Sequence, residues 1–340
     1  MPDLASERGE TIAGFLARHG WAGVAPALLA GDASFRRYYR LRDGARQVVL
    51  MDAPPPHEAV GPFAAIAEAL RGLGLSAPEV YAQDDDNGLL LIEDFGDDTY
   101  TRLIAGGSDE PALYALAIDT LIALQRAVAG NGLPELPDYD EERLLGEALL
   151  LVDWYVPSVL GYPLPDAARD GYVELWRRLL SQAHLVLPTL VLRDYHVDNL
   201  MLLPGRSGVR RCGLLDFQDA VCGPASYDLV SLLEDARRDV PPALREAMTE
   251  RYLAAFPGID RAAFVRSAAI LAAQRNCKIV GIFTRLARRD GKPQYLGHIP
   301  RVWRLIEHDL RDPVLAPLVA WLDRHLPPRL RRVPAERSTA

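Results

Sequence analysis

The sequence predicts an α+β chain with two lobes: a small β-sheet-plus-helix lobe over residues 1–95 and a larger, mainly helical lobe over residues 96–340. Three observations lead to this prediction. Short apolar runs and turns over residues 27–95 follow the order β, β, α, β, β. From residue 99 onward most apolar residues recur with helical spacing. A single β-rich island, at 187–203 and 209–221, interrupts these helices.

Local signals predict the elements of the first lobe in order. Residues 7–20 have the spacing of an amphipathic helix that ends at a glycine. The stretch 27–52 predicts two strands around the polar turn RDGAR, and a helix follows over 61–73. Two further strands, in APEVYAQ and LLLIEDF, flank the acidic turn at 84–88. This lobe is therefore expected to contain one small sheet and one helix packed beside it.

The second lobe is expected to begin at the acidic segment EDFGDD (93–98), which is the predicted lobe boundary. Beyond it, apolar residues recur at spacings of three and four, as on the buried face of a helix. These segments predict helices over residues 110–128, 139–160, 167–183, 227–236, 241–255 and 261–289.

Composition limits the classes of function. The 340 residues include 46 acidic and 38 basic side chains, a net charge of −8, whereas nucleic acids and anionic membranes attract basic surfaces. We therefore expect no nucleic-acid or membrane partner.

The acidic, polar N-terminus does not resemble a signal peptide, and stretches such as 144–152 are too short to span a bilayer. Three cysteines without a CxxC pair indicate a reducing compartment, so a cytoplasmic location is expected.

Lysine is nearly absent, and this restricts phosphate chemistry. Of the 38 basic residues only Lys278 and Lys292 are lysines. The single Gly-Lys pair, Gly291-Lys292, is followed by proline rather than Ser or Thr, so the sequence contains no P-loop. Any phosphate bound by the first 277 residues must be held by arginine, backbone amides or a metal ion.

Three polar residues of the β-rich island carry the strongest chemical signal. Asp194, Asn199 and Asp216 occur in LRDYHVDN and LLDFQD, at spacings of five and twenty-two from the first aspartate. Phosphoryl transfer from a nucleotide requires a carboxylate that orients the attacking hydroxyl and oxygen ligands for Mg²⁺. A loop followed by a strand can present all three groups to one cleft. The simpler alternative is that Asp194 and Asn199 stabilise turns.

On these motifs the chain resembles the aminoglycoside phosphotransferase and choline kinase group, enzymes similar in fold to protein kinases, whose motif is H-x-D-x-x-x-x-N followed by a metal-binding aspartate. The resemblance implies ATP and Mg²⁺, with Asp194 as the catalytic residue and Asn199 and Asp216 as metal ligands. Leu192 departs from the leading histidine, which is mainly structural in such loops. His196 matches a second histidine of the family or is a packed loop histidine. Asp228 matches an aspartate that supports the catalytic loop, or is an acid at a helix N-terminus.

The first lobe departs further from the kinase pattern. Met51 occupies the position of the usual lysine and Phe63 that of its glutamate partner, so both members of the ion pair are missing together. The segment GDASFRRYYR (31–40) offers small residues and either Arg36 or Arg37 as a replacement cation; strand alternation allows only one of the two to face the nucleotide. The residues expected to bind the nucleotide are Gly31, Ser34, Phe35, Arg36, Arg37, Met51, Glu93 and Phe95, the last two at the boundary segment.

Acceptor residues are expected on two helical segments. Polar residues interrupt the apolar helix predicted over 261–289, and those four and seven positions apart share one face. This polar stripe lines the acceptor pocket, binds the transferred phosphate or is solvated. Trp154 is a candidate for stacking on a sugar, although such aromatics more often pack in a core. The candidate acceptor residues are His196, Trp154, Gln274, Arg275, Lys278 and Arg285.

Longer phrases narrow the resemblance to bacterial anomeric sugar kinases of cell-wall recycling. They include GDASFRRYYRL, LLIEDFGDDTY, LRDYHVDNLMLL and QRNCKIVGIFTRLARRDGKPQYLGHIPRV, and the match runs over roughly residues 20–310. It implies ATP-dependent phosphorylation of the 1-hydroxyl of N-acetylmuramate or N-acetylglucosamine. Two alternatives remain open at this point: the same fold acting on another sugar, amino sugar or aminoglycoside, and a catalytically weak kinase-like binding protein.

Overall fold

A computed structural model describes residues 7–31, 35–132 and 135–335. Its strands are β1 Ala27–Gly31, β2 Arg37–Asp43, β3 Arg46–Asp52, β4 Val80–Asp84, β5 Leu89–Ile92, β6 Pro188–Val191, β7 Leu200–Leu202, β8 Cys212–Leu214 and β9 Val221–Pro224. Its helices are α1 Glu7–Arg18, α2 Gly61–Gly72, α3 Tyr100–Ala105, α4 Glu110–Asn131, α5 Glu141–Leu150, α6 Val156–Leu160, α7 Asp166–Ala183, α8 Tyr227–Leu233, α9 Pro242–Ala254, α10 Arg261–Arg289, α11 Ile299–Asp309 and α12 Ala316–His325.

Contacts divide the chain into two compact units. The first combines Met1–Leu124 with Val197–Ala220, and the second combines Gln125–His196 with Val221–Ala340. These units differ from the lobes that the sequence predicts, and the lobe boundary after residue 95 stays a prediction. Strands β7 and β8 belong to the first unit although they are distant from it in sequence. The amide of Leu214 in β8 donates to the carbonyl of Ser76 at 2.8 Å.

The first unit contains an antiparallel five-stranded sheet in the order β1-β2-β3-β5-β4. The sequence prediction of four strands was one too few, because the segment predicted as one strand from residue 27 forms both β1 and β2. One sheet face packs on α1 through alternate residues of three strands, as pleating requires. The core on this face contains Ile12, Phe15, Leu16, Trp21, Tyr39, Leu41, Val48, Leu50, Leu89 and Leu91. The remaining face is left for α2 and for a cavity.

The second unit is built around the long helix α10, which packs on α5, α7, α8 and α11. Strands β6 and β9 form an antiparallel pair beside these helices. A π-helical turn, Leu151–Tyr155, follows α5 without a break. Gly281 of α10 lies directly against the backbone of Leu150, where a Cβ atom would come within 2.3 Å of the Leu150 carbonyl carbon. The two helices therefore approach as closely as a glycine allows.

The helices predicted over 110–289 are confirmed, although the segment 139–160 is divided by the π-helical turn. Helices α3, α11 and α12 lie outside the segments that the sequence predicted as helical. Within the described residues, α4 is long and apolar enough by length and composition to cross a membrane, which the sequence prediction overlooked. Of its most apolar window, 56% is buried inside the protein, as expected for a core helix.

Candidate active site

Strands β7 and β8 bring Asn199 and Asp216 together. The two strands are antiparallel with Leu200 opposite Leu214, so the residue before β7 and the residues after β8 lie at the same end of the pair. The Asn199 carbonyl accepts from the amide of Leu215 at 3.0 Å, and the two side chains meet at 3.3 Å between Asn199 Nδ2 and Asp216 Oδ2. Asp216 has φ +57°, a left-handed conformation that non-glycine residues seldom adopt outside functional sites.

This pair fits a magnesium ion that takes its other ligands from phosphate. No group of three or more His, Cys, Asp or Glu side chains within residues 7–31, 35–132 and 135–335 is arranged to hold a metal ion. Asn199 and Asp216 supply one amide oxygen and one carboxylate, and the Asp216 side chain is 30% exposed. Mg²⁺ is usually held in this way, by one or two protein oxygens together with substrate phosphates and water.

A cavity of about 420 Å³ lies in the first unit, and both members of the pair line it. Its volume is in the range of pockets that enclose small ligands. Alternate strand residues Tyr38, Val49 and Ile92 form one wall, on the sheet face opposite α1. The segment that follows β5 forms another wall, through Glu93, Asp94, Phe95, Gly96 and Asp97.

Of the two candidate arginines, Arg36 is the one that faces the Asn199–Asp216 pair. It is buried, with its Nε 3.7 Å from Glu58 and its NH2 4.0 Å from Asp216, whereas Arg37 is exposed. Burial acts to lower the pKa of Arg36, but the neighbouring acidic groups, Asp216 and Glu58 among them, outweigh it and raise this pKa above the usual arginine value. Arg36 is therefore a permanent cation beside the pair.

The other residues predicted to bind the nucleotide lie at different places in the first unit. Gly31 ends β1, and Phe35 is 62% exposed and stacks on His57, with ring centroids 4.6 Å apart. Ser34 lies outside the described residues. Met51 is fully buried on β3, two residues beyond the cavity residue Val49 on the same strand face.

Phe63, at the position predicted for the missing glutamate, is part of an aromatic pair. Phe63 of α2 lines the cavity and stacks on Phe217, with ring centroids 4.9 Å apart. Phe217 directly follows Asp216, so this contact connects α2 to the segment that carries the candidate metal ligand. Offset aromatic stacking of this kind adds about 0.5–1.5 kcal/mol beyond the area that it buries.

The segment after β5 is fixed by arginines that the sequence analysis did not select. Arg40 donates from NH2 to Asp94 and to the Gly96 carbonyl, both at 2.9 Å, and from NH1 to Asp97 at 2.9 Å. Arg206 pairs with the Glu93 carboxylate and lies over the Phe95 ring, 5.1 Å from its centroid. Glu93 and Phe95, the two candidates in the predicted boundary segment, are thus held in place through their side chains.

In the second unit, Asp228 fixes the loop that carries Asp194. Its carboxylate accepts from the amides of Leu192 at 2.6 Å and Arg193 at 2.9 Å, and Arg193 has φ +70°. Burial raises the pKa of Asp228, the two amide donors oppose this, and the charge of Asp194 adds to it, giving a pKa of about 7. The aspartate that the sequence predicted as a support therefore contacts the loop directly.

Basic side chains lie close to Asp194. Burial acts to raise the pKa of Asp194, but Lys278, His196, Arg275 and Arg193 outweigh it and hold this pKa below the usual aspartate value. His196 is itself buried, and its own pKa is lowered by burial and by Arg237. Asp194 is therefore a carboxylate throughout the neutral pH range.

A buried glutamate organises the polar stripe of α10. Glu147 of α5 accepts from Lys278 Nζ at 2.9 Å and from Gln274 Nε2 at 3.4 Å, and it also pairs with Arg193 and with the hydroxyl of Tyr139. Burial acts to raise the pKa of Glu147, but Lys278 and Arg193 lower it below the usual glutamate value. Sequence analysis missed Glu147, although a single carboxylate in the apolar run LLGEALLLV is a signal for a buried, paired charge.

The remaining acceptor candidates also lie in the second unit. Arg275 is buried and donates to the Glu234 carbonyl at 3.2 Å. Trp154 is half-buried in the π-helical turn, whereas its neighbour Tyr155 is fully buried and accepts from Trp303 Nε1 at 3.0 Å. Arg285 is half-buried one turn after Gly281. The structure thus divides the predicted site residues: nucleotide candidates lie in the first unit and acceptor candidates, with Asp194, in the second.

A family model described as the phosphotransferase enzyme family matches residues 27–265, and the chain belongs to this family. This membership confirms the prediction of an enzyme that transfers a phosphoryl group to an alcohol group.

Two relatives of the chain carry a more specific name. The chain is 39% identical to the N-acetylmuramate/N-acetylglucosamine kinase of Caulobacter vibrioides, over 97% of this chain and 99% of that protein. It is 42% identical to the protein of the same name from Pseudomonas aeruginosa, over 88% of this chain and 89% of that protein.

Solved structures confirm the predicted fold class. Choline kinase LicA from Streptococcus pneumoniae matches with a TM-score of 0.61 at 14% identity, over 90% of this chain and 100% of that one. The GDP complex of aminoglycoside 2'-phosphotransferase-IIIa matches with a TM-score of 0.58 at 15% identity, over 90% and 99%. At such low identities the likeness concerns the fold alone.

Proposed function

We propose that the chain is a sugar kinase that transfers the terminal phosphoryl group of ATP to the 1-hydroxyl of N-acetylmuramate or N-acetylglucosamine, as part of cell-wall recycling. The observation that carries the phosphotransfer is the meeting of Asn199 and Asp216 in the wall of the 420 Å³ cavity. The choice of acceptor is supported by four relatives, 38–42% identical over most of the chain, that share the name N-acetylmuramate/N-acetylglucosamine kinase.

The first unit supplies the nucleotide side of the reaction. The adenine lies between the strand residues of the cavity wall and the segment Glu93–Phe95, which Arg40 and Arg206 hold in place. Arg36 takes the role of the missing lysine and neutralises charge on the phosphates. Asn199 and Asp216 would hold Mg²⁺, which when bound offsets the negative charge of the β- and γ-phosphates.

The second unit supplies the acceptor side. Asp194 accepts a hydrogen bond from the 1-hydroxyl and orients its oxygen toward the γ-phosphorus. As the new oxygen–phosphorus bond forms, the bond from the γ-phosphorus to the oxygen of ADP breaks and the hydroxyl proton passes to Asp194. An anomeric hydroxyl is more acidic than an ordinary alcohol, so a carboxylate with a low pKa is a sufficient acceptor.

Lys278, Gln274 and Arg275 act mainly through other protein groups. Lys278 and Gln274 donate to Glu147, and Arg275 donates to the Glu234 carbonyl. Their proposed contribution is to hold the acceptor side in shape and to keep Asp194 ionised. Asp228 holds the backbone of the same loop.

The proposed function is tested by ADP release over a panel of acceptors: N-acetylmuramate, N-acetylglucosamine, glucosamine, glucose and kanamycin. We expect turnover with the two N-acetyl sugars and loss of the reducing end in the product, since the 1-hydroxyl becomes phosphorylated. Retention of the reducing end would show transfer to a different hydroxyl. Preferred turnover of kanamycin or glucose would replace the proposed acceptor, and binding without Mg²⁺-dependent turnover of any acceptor would indicate a binding protein.

An Asp194→Asn variant separates catalysis from folding in the same assay. We expect it to bind nucleotide with wild-type affinity and to lose about 10³-fold or more in kcat, because the amide cannot accept the hydroxyl proton. Thermal unfolding with and without ADP supplies the control for folding and binding. A wild-type kcat in this variant would remove Asp194 from the mechanism.

A further inference from the structure

Helices α5 and α10 run side by side in a fixed register. Gln274 Nε2 donates to the Leu144 carbonyl at 2.8 Å, and Lys278 Nζ donates to Glu147 at 2.9 Å. Further along, Gly281 lies against the backbone of Leu150. The partners are separated by 130 or 131 residues at each step, so the two segments are parallel and stay in step. The π-helical turn that follows α5 also contacts α10, and the same register continued by one step places Trp154 opposite Arg285.

Arg285 differs from every other polar residue of the stripe. Its guanidinium has no hydrogen-bond or ion-pair partner among the residues that the structure describes, and its Nε is buried without one. In contrast, Gln274 and Lys278 donate to groups on α5, and Arg289, one turn later, pairs with Asp290 at 2.7 Å. Burial, reinforced by Arg289, lowers the pKa of Arg285. Asp290 is near enough to oppose this effect, but its carboxylate pairs with Arg289 and not with Arg285. A half-buried cation without a direct ion-pair partner is costly in the free protein and is a ready site for an anion.

Trp154 offers a second group that could contact a ligand bound by this cation. The ring is half-buried, in a π-helical turn of the kind that is often found at functional sites. An indole face packs well against the C–H groups of a sugar ring. Arg285 lies two helical turns from Lys278, about 10 Å along α10, and Lys278 is close enough to Asp194 to lower its pKa. A hexose with a three-carbon acidic substituent is of the size to extend from Asp194 toward Arg285.

We propose that Arg285 binds a carboxylate carried by the acceptor sugar, while Trp154 packs on the sugar face. This inference rests on the proposed function and deepens it, because of the two candidate acceptors only N-acetylmuramate carries a carboxylate, on its lactyl ether. A guanidinium binds a carboxylate through two parallel hydrogen bonds, which a lysine cannot reproduce. Arg285 therefore determines which of the two sugars is preferred.

The test measures kcat/KM for N-acetylmuramate and for N-acetylglucosamine in wild type, Arg285→Gln and Arg285→Lys. We expect the ratio of the two values, N-acetylmuramate over N-acetylglucosamine, to fall by about 10- to 100-fold in Arg285→Gln, as when a hydrogen-bonded charge loses its partner. Arg285→Lys keeps the charge but not the paired geometry, so its ratio should fall less. Trp154→Ala should lower both values by similar factors, since the sugar face is common to both acceptors.

Arg289→Gln is the matched control, because it removes the same charge from an exposed position on the next turn of the helix. Its ratio should equal that of wild type. An unchanged ratio in both Arg285 variants overturns the inference while leaving the sugar kinase intact. If the wild type phosphorylates neither sugar, the proposed function fails and the inference fails with it. Should Arg285→Gln not fold, the ratio in Arg285→Lys decides alone.

Discussion

At the scale of single residues, Arg36 and Arg37 show what a sequence pattern can predict and what it cannot. Strand alternation predicts that only one of Arg36 and Arg37 faces the nucleotide, and the structure turns Arg36 inward and leaves Arg37 exposed. Sequence reasoning could not choose between them, because the choice depends on Glu58 and Asp216, which are distant along the chain. The pattern thus defines the alternatives, and long-range packing selects one.

Neutralising each arginine in turn tests this selection. Arg36→Gln should raise the KM for ATP by about tenfold, because one charge-assisted contact to phosphate is lost. Arg37→Gln carries the same change in charge at an exposed position and should alter this KM by much less. Initial rates at varied ATP and saturating acceptor give both values. Equal effects of the two substitutions would contradict the assignment of Arg36.

The ionisation of Asp228 makes a separate prediction about pH. Its folded-state pKa, about 7, is above the value of an unfolded aspartate, so its contribution to stability is complete below about pH 4. That contribution is lost as the pH rises through 7. Relative to Asp228→Asn, which does not titrate, the wild type should therefore lose free energy of unfolding between pH 4 and pH 8, by about 4 kcal/mol at most.

Urea unfolding of both proteins at several pH values measures this difference, and the subtraction removes the titration of all other groups. A difference that is constant from pH 4 to pH 8 would show that Asp228 has an ordinary pKa. In that case the two amide donors, from Leu192 and Arg193, stabilise its charge as much as burial disfavours it.

At the scale of secondary-structure elements, long periodic segments were predictable and short or long-range features were not. The apolar repeat over 261–289 defined α10 to the residue, since its buried face continues through the whole helix. The boundary between β1 and β2 was missed because the run 27–41 was interpreted as one strand, although GDAS (31–34) is a turn-type cluster within it. The role of Glu147 was missed because its partner Lys278 is 131 residues away.

Gly281 marks the closest approach of α10 to α5 and supplies a prediction at this scale. Gly281→Ala would place a methyl group 2.3 Å from the carbonyl carbon of Leu150, so the helices must separate. We expect a loss of about 1–3 kcal/mol in the free energy of unfolding. Gly146→Ala on α5 is the control, since nothing lies within 4 Å of its Cβ position and alanine favours the helix.

Thermal or urea unfolding of both variants distinguishes the two expectations. Gly281→Ala should be less stable than wild type, and Gly146→Ala should be equally or slightly more stable. A Gly281→Ala protein as stable as wild type would show that the register of α5 and α10 can shift. The pairing inferred for Trp154 and Arg285 depends on that register.

At the scale of the whole chain, the residues proposed for the two sides of the reaction belong to different units. Asn199, Asp216 and the cavity belong to the first, and Asp194, Glu147 and Arg285 belong to the second. The sequence predicted lobes by composition and placed everything after residue 95 together. It could not show that β7 and β8 join the first unit, because that depends on non-local hydrogen bonds such as Leu214 to Ser76.

Removing the metal should abolish the reaction without weakening the binding of the acceptor sugar. In excess EDTA we expect ADP release to stop, and added Mg²⁺ should restore it, because Asn199 and Asp216 supply only part of the ligands that a magnesium ion needs and phosphate must supply others. The rise in melting temperature caused by the acceptor sugar should persist in EDTA, since the acceptor residues contain no proposed metal ligand. Turnover that survives chelation would exclude the metal role of Asn199 and Asp216.

The stack of Phe63 on Phe217 has a consequence for control of the enzyme. In kinases with a lysine–glutamate pair, activity is switched by making or breaking that ionic contact as the helix moves. Here the corresponding helix is anchored by two hydrocarbon rings, beside a fully buried methionine. Such an anchor carries no charge with which salt or an added phosphoryl group could compete, so movement of this helix cannot be controlled by breaking an ionic contact at this junction.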